Sequence, residues 1–540
     1  MRAVTFLAIA ALLCAATPAL AKPKTRKPPL AKTPAAAPEL TVERFADGWR
    51  ADLALDGPLL GWALPRGRDG HRALLLLAGP KREASDSEAA AMCTVRDPAP
   101  GIVRNARLYR WRPESPEQLE SMGSGLPVGA LESADLNGDG EDELLLQHEG
   151  GIDVVTLSPE GSSAIHVLIE DPLLGTTCCG PRMAWDAAAA QDKALRVALL
   201  GAFRTYGLGR EGGVAITSEL ATPERVNAGS ERVRVESPAV RPIGRNSAGR
   251  MVFATEPEAL GKRRLRTLLL DPDGPAEARV VESWALFPKP ERVVDSAFAM
   301  LNGEPVLIVT TTSAEKLSLL GEKTVRVFPL GGNRTRAGDP PLLAATTGLN
   351  LWQQAHPASL DLDRDGRDDL VLAYWKGLKN SIAAFEVYPG RAASGFAKPR
   401  SMSFDVENGD KGFLEFGPDA DGDGRPDLIL IANKELVVFP GTAQDGAAAR
   451  PVETRPSRRI ALPEGLSRAQ GMSLSVGTGG FEVARSSGGL GTPHLLDLDG
   501  DGRPEALFAG DGASGAGRVV VVFLRGASAL APLRTISSAD

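Results

Sequence analysis

Four segments of this sequence repeat one arrangement of side-chain oxygens: DLNGDGEDELLL (135–146), DLDRDGRDDLVL (361–372), DADGDGRPDLIL (419–430) and DLDGDGRPEALF (497–508). Each has an Asp or Asn at its first, third and fifth positions, Gly at the sixth, an acid at the ninth, and an apolar run directly after. A turn of this kind can aim its first, third and fifth side chains at one centre. The sixth-position glycine allows the sharp bend because it tolerates positive φ. The seventh residue (Glu141, Arg367, Arg425 or Arg503) can add its backbone carbonyl, and the ninth returns a carboxylate. All donors are oxygen, which suits a hard cation that takes six to eight oxygens, and calcium is the expectation. Clustered carboxylates without a cation repel one another.

Two related loop types fail a simple test. An EF-hand loop needs a bidentate Glu at its twelfth position and a helix after it. Here the twelfth residue is Leu146, Leu372, Leu430 or Phe508, inside a strand-like run. The same test argues against dockerin-type loops.

Behind each loop the sequence predicts a pair of strands. The apolar run is followed by a short polar gap and a second segment rich in Val, Ile and aromatics, at 152–157, 381–388, 435–439 and 518–524. Two of these end alike, in Val387-Tyr388-Pro389-Gly390 and Val438-Phe439-Pro440-Gly441, and a third closes in Val327-Phe328-Pro329. Weaker copies lacking the carboxylates precede apolar runs near Asp69-Gly70, Gln191-Asp192, Gly249 and Asn302-Gly303. That makes eight units, most of them about 53–61 residues apart. Short strands at such a period point to an all-β propeller of four-stranded blades rather than a β-solenoid, whose period is usually shorter. The longer first and last intervals carry Ala/Ser/Gly-rich inserts near 82–100 and 470–492.

The flanking sequence bears on location. Residues 1–21 read as a secretion signal: Arg2, an apolar run from Ala3 to Leu13, and a small-residue cleavage site at Ala19-Leu20-Ala21. The alternatives are a retained anchor or lipidation at Cys14, the latter disfavoured by Leu13 directly before it. Residues 22–38 are a Pro/Ala/Lys-rich linker unable to bury a core. The globular region spans 39–535 with no later membrane-length apolar stretch. An exported protein, periplasmic or extracellular, is expected. Cys93, Cys178 and Cys179 would remain, enough for one disulfide and one thiol. A net charge of −7 and the lack of a basic, aromatic-rich face argue against nucleic acid.

The four loops and their strand pairs resemble the FG-GAP or VCBS repeats of integrin α-subunit propellers and of many bacterial exported proteins. That resemblance implies a propeller, usually of seven blades, with calcium loops on one side. The implied ligands are Asp135, Asn137, Asp139 and Glu143; Asp361, Asp363, Asp365 and Asp369; Asp419, Asp421, Asp423 and Asp427; and Asp497, Asp499, Asp501 and Glu505. Eight units depart from seven blades, so either number is open at this stage, one weak unit shared between the chain ends being a way to close the ring. It also implies a binding, adhesion or scaffold role, with another protein or a surface glycan as partner.

Linear catalytic motifs are missing from the sequence. The five histidines (His71, His148, His166, His356 and His494) are scattered, with no H-E-x-x-H and no G-x-S-x-G. The expectation is a non-enzymatic module. The alternatives are a polysaccharide lyase or hydrolase with residues from several blades at the axis, and a carbohydrate-binding lectin. His494 reads as a surface or packing residue, and Trp352 and Trp375 as packing between blades.

Overall fold

The computed structural model describes residues between 38 and 524. Residues 1–37 and 525–540, and connecting segments that include 80–103, 171–181, 184–193, 314–322, 332–340 and 464–470, lie outside the described residues. The signal segment, nearly all of the linker, the four cysteines, His71, Trp352 and the 82–100 insert therefore lie outside them too. Among the described residues, no helix is long and apolar enough to cross a membrane.

Eight antiparallel sheets of four or five strands follow one another along the chain. Blade 1 is Leu59–Ala63, Leu74–Ala78, Arg104–Trp111 and Leu119–Pro127. Blade 2 opens with Ala130–Ala134 and Glu143–His148, blade 3 with Arg182–Met183 and Ala194–Leu199, and blade 4 with Val240–Arg245 and Met251–Thr255. Blade 5 opens with Glu291–Leu301 and Glu304–Ser313, blade 6 with His356–Leu360 and Asp369–Lys376, and blade 7 with Gly409–Phe416 and Leu428–Ala432. Blade 8 contains His494–Leu496, Glu505–Asp511 and Gly517–Phe523. All eight units of the sequence fall between the first and second strands of a blade, although Asp69-Gly70 and Gln191-Asp192 themselves lie outside the described residues.

Residue pattern explains strand position. A middle strand meets a neighbouring blade on both faces, so it needs a continuous apolar run rather than alternation. Leu74–Ala78 (LLLLA) and Leu428–Ala432 (LILIA) are accordingly buried at every residue. Outer strands alternate, as Arg400–Asp405 does between exposed and half-buried. First strands of neighbouring blades lie side by side: Leu59–Ala63 with Ala130–Ala134, Val240–Arg245 with Glu291–Leu301, and Glu291–Leu301 with His356–Leu360. Strands crowd in this way nearest the axis of a radial array, so the first strands are innermost.

The core is divided among the interfaces between blades. Blades 6 and 7 share Trp375, Phe385, Phe416 and Phe439, which places Trp375 between blades as expected. Blades 7 and 8 share Phe413, Ile460 and Phe508. The remaining clusters join 5 with 6, 1 with 2, 2 with 3, 4 with 5 and 3 with 4. An eighth joins blade 8 to blade 1 through Trp49, Phe523, Leu76 and Trp111. Every consecutive pair thus has its own core, and the ring closes with eight blades, not seven.

Closure uses both ends of the described chain. Gly48–Ala54 pairs with Gly517–Phe523 from Trp49↔Phe523 to Ala54↔Arg518, and Glu39–Phe45 adds a fifth strand outside it. The shared blade is thus the last one, which carries a full acidic loop. Trp49 stacks on Phe523 with centroids 3.9 Å apart. Arg518 grips Asp52 through two hydrogen bonds, at 2.9 and 2.5 Å. The closure removes a sheet edge that would otherwise be open to association.

Trp49→Ala should cost about 3–5 kcal/mol by cavity formation. Hydrogen exchange is expected to rise first in Gly517–Phe523 and the strands of blade 1, while blades 3 to 5 keep their protection. An even loss of protection in all blades would contradict a seam at this position.

Candidate metal centres

In the acidic loops, the first-position Asp organises the turn. Asp361 accepts the N–H groups of Asp365 and Gly366, both at 3.0 Å. Asp419 accepts those of Gly422, Asp423 and Gly424, at 2.6, 3.1 and 2.8 Å. Asp497 accepts Gly500 at 2.8 Å and Gly502 at 3.2 Å, and Asp135 accepts Gly140 at 2.9 Å. The sixth-position glycines Gly140, Gly366, Gly424 and Gly502 all have φ between 79° and 89°, as the bend requires. Asn137 and Asp139 lie outside the described residues.

Carboxylate oxygens converge in the last three blades. Asp361, Asp363 and Asp365 each bring an oxygen within 4.8 Å of the others. So do Asp419, Asp421 and Asp427 in blade 7, and Asp497, Asp499 and Glu505 in blade 8. The sets differ at one place: blade 6 uses its fifth-position Asp365, whereas blades 7 and 8 use the ninth-position acid. Asp423, the fifth-position residue of blade 7, is turned toward Arg425 at 3.4 Å. Arg367 stands 3.6 Å from Asp365 in the same manner. The side chains of Arg367 and Arg425 thus serve their own loop's charge, while the seventh-position carbonyls are the oxygens proposed for an ion. Calcium–oxygen bonds of about 2.3–2.6 Å put two ligands of one ion at most about 5 Å apart, so these clusters have the spacing to hold one.

The ninth-position acid has a structural duty that its sequence position does not reveal. Asp427 is fully buried, and it accepts N–H groups from Ala420 at 2.8 Å, Asp421 at 3.1 Å and Gly441 at 2.7 Å. Asp369, also buried, accepts from Leu362 at 3.3 Å and Gly390 at 2.8 Å, and Glu505 accepts from Leu498 at 2.7 Å. Gly390 and Gly441 are the glycines of the recurring Pro-Gly turns. A Cβ on Gly441 would lie 2.6 Å from the Pro426 carbonyl oxygen, and one on Gly390 2.5 Å from that of Asp368. Those turns therefore exist to bring an N–H against the carboxylate. Burial, with some help from Asp421, pushes Asp427 up to about 6. Burial and the charges of Asp363 and Asp365 push Asp369 up. Both are carboxyls whose charge a nearby cation would stabilise.

The fourth and eighth positions also do work that the sequence reading missed. Gly422 and Gly500, at the fourth position, have φ of 79°, and Arg364 occupies the same left-handed conformation at 59°. A glycine at the fourth position in three loops out of four was the available signal. At the eighth position, Asp368 accepts the Asn302 N–H at 2.6 Å and donates its own N–H to the Asn302 side chain at 2.8 Å. Asp142 likewise accepts from Arg66 N–H at 2.9 Å and donates to the Arg66 carbonyl at 2.9 Å. Asn302 and Arg66 belong to the preceding blades 5 and 1, whose own loops lack the carboxylate set. In blades 7 and 8, which follow acidic loops, the eighth residue is Pro426 or Pro504.

No protein-family model and no curated protein matches the chain. Solved structures do match. The Dos1 propeller is 12% identical, covering 87% of this chain and 93% of that one, with a TM-score of 0.38. The polysaccharide lyase Uly1 is 8% identical, covering 84% and 88%, with a TM-score of 0.31. A protein from Lactobacillus plantarum is 12% identical, covering 68% and 95%, with a TM-score of 0.30. Blade number and closure are read from this chain's own strand pairing.

Arg364→Gly is expected to stabilise the protein. An L-residue in the left-handed region costs about 1–2 kcal/mol, and glycine's extra chain entropy returns about 0.5–1 kcal/mol of that. The net gain is about 0.5–1 kcal/mol, read as a higher urea midpoint at unchanged slope. An unchanged or lower midpoint would contradict the assignment of strain to this position.

Proposed function

We propose that the protein is a calcium-stabilised binding scaffold of the FG-GAP/VCBS kind. The observation that carries this reading is the convergence of three carboxylates at the same turn in each of blades 6, 7 and 8. The donor set is all oxygen and the spacing suits one ion of calcium's size. In blade 6 the ligands would be Asp361, Asp363, Asp365 and the Arg367 carbonyl, with Asp369 behind them. In blade 7 they would be Asp419, Asp421, Asp427 and the Arg425 carbonyl, with Asp423 turning in from Arg425. Blade 8 would use Asp497, Asp499, Asp501, Glu505 and the Arg503 carbonyl, and blade 2 would use Asp135, Asn137, Asp139, Glu143 and the Glu141 carbonyl. The ion would offset repulsion within each loop and fix the turn at one end of the blade. The protein would then present a rigid face to a partner, a second protein or a surface glycan, after export by residues 1–21. A second reading, an enzyme acting on polysaccharide, draws on one observation: ionisable side chains on the first strands of blades 2, 7 and 8.

Thermal unfolding in EDTA and across a calcium titration, with magnesium as control, tests the reading. At a Kd of about 0.1 mM and about 1 mM calcium, one site adds roughly 1.4 kcal/mol. A saturable, calcium-selective rise in Tm is expected. Asp363→Ala, Asp421→Ala and Asp499→Ala should each remove about one site's share of it. No shift up to about 10 mM calcium would overturn the metal assignment.

A further inference from the structure

A second set of chemically capable residues lies at one level of the axial wall. In the four blades with full loops, one first-strand residue pairs with the eleventh motif position. It is Glu132 opposite Leu145, Ala358 opposite Val371, Glu415 opposite Ile429, and His494 opposite Leu507. The shared register sets these residues at the same height on the innermost strands. Strand alternation gives their direction. Glu132 shares a face with Ala134, which packs with blade 3, and Glu415 shares one with Phe413, which packs with blade 8. His494 lies opposite Leu507, which packs with blade 1. Each therefore stands at the inner mouth of the cleft toward the next blade.

Blade 1 adds an indole to this level. The rings of Trp62 and His494 meet edge to face, with centroids 5.4 Å apart. Neither Glu132, Glu415 nor His494 forms an ion pair among the described residues. Burial pushes Glu132 up to about 7 and Glu415 up, and it pushes His494 down. Yet Glu132 and Glu415 are only half-buried and His494 is exposed. All three are therefore open to a ligand from the solvent side.

We propose that Trp62, Glu132, Glu415 and His494 form an axial binding site for a neutral saccharide. Carboxyl and imidazole groups both hydrogen-bond sugar hydroxyls, accepting through oxygen or ring nitrogen and donating where they carry a proton. The indole supplies the flat apolar surface that the C–H face of a pyranose ring can cover. A uronate or sulfated sugar would have to give up hydration at a level where burial already disfavours negative charge on Glu132 and Glu415. The site stands on other residues than the acidic loops and does not need the metal reading.

Isothermal titration of the full chain in calcium with maltohexaose, cellohexaose and mannohexaose tests the site, with oligogalacturonate as the charged control. Saturable binding of at least one neutral hexaose, with Kd below about 1 mM, is expected, and none of the galacturonate. Glu415→Gln and Trp62→Ala should each weaken binding tenfold or more. Arg459→Ala, on the outer strand of blade 7, should leave it unchanged. Because Trp62 also packs on the core, His494→Gln and Glu132→Gln provide variants that keep side-chain bulk, with melting curves confirming the fold. Failure of every neutral hexaose to bind, or binding that survives these substitutions undiminished, overturns the proposal. The calcium-dependent melting shift is read separately, so its persistence without saccharide binding counts against the axial site alone.

Discussion

A buried carboxylate at the ninth position of the acidic loops of blades 6, 7 and 8 is the constraint on which the blade geometry there depends. Asp427 is fully buried and accepts three backbone N–H groups, two from its own loop and one from the Pro-Gly turn that follows the third strand. Burying a carboxylate is costly unless several donors meet it. Bonds from N–H to a charged oxygen are the stronger kind. The loop, the start of the second strand and the distant turn are thereby tied at one atom pair. That tie explains why glycine is needed at Gly441 and Gly390, where a Cβ would run into backbone carbonyl oxygen. Even so, Asp427 is pushed up to about 6, so the three donors only partly offset its burial, and a cation beside it has energy to contribute.

Charge is managed between blades as well as within loops. Where an acidic loop follows a blade without carboxylates, its eighth residue is Asp142 or Asp368, and each docks on the preceding loop through paired hydrogen bonds. Where it follows another acidic loop, the eighth residue is proline, and no further carboxylate is added. Blades 6, 7 and 8 would otherwise set an acid against an acid. The blades with degenerate loops are therefore more than spacers, since blades 1 and 5 provide the docking points for blades 2 and 6.

Much of this architecture was legible in the sequence because its signals are local. The acidic spacing, the sixth-position glycine and the apolar runs located the first turn and second strand of every blade, and counting them gave eight. The resemblance to repeats of seven-bladed propellers left that number open. Closure settled it, and closure carries no local signal: Asp52 and Arg518 are 466 residues apart. The fourth-position glycine was in plain sight, but Arg364 shows that the conformation is required even where the residue type hides it. The ninth-position acid was expected only as a ligand. Its second duty depends on Gly441, brought to it by a strand hairpin that spacing alone does not orient. The level shared by Glu132, Glu415 and His494 emerges only once strand register is known.

Counting bound calcium is the most direct test of the central claim, that these loops are built around an ion. Equilibrium dialysis against radioactive calcium at about 1 mM, within the range of extracellular modules, gives the stoichiometry without relying on stability. The account predicts about four ions per chain, one for each acidic loop. Fewer than one ion per chain, in protein that is folded by circular dichroism, would contradict it and leave the carboxylates as hydrogen-bond acceptors of the turn alone.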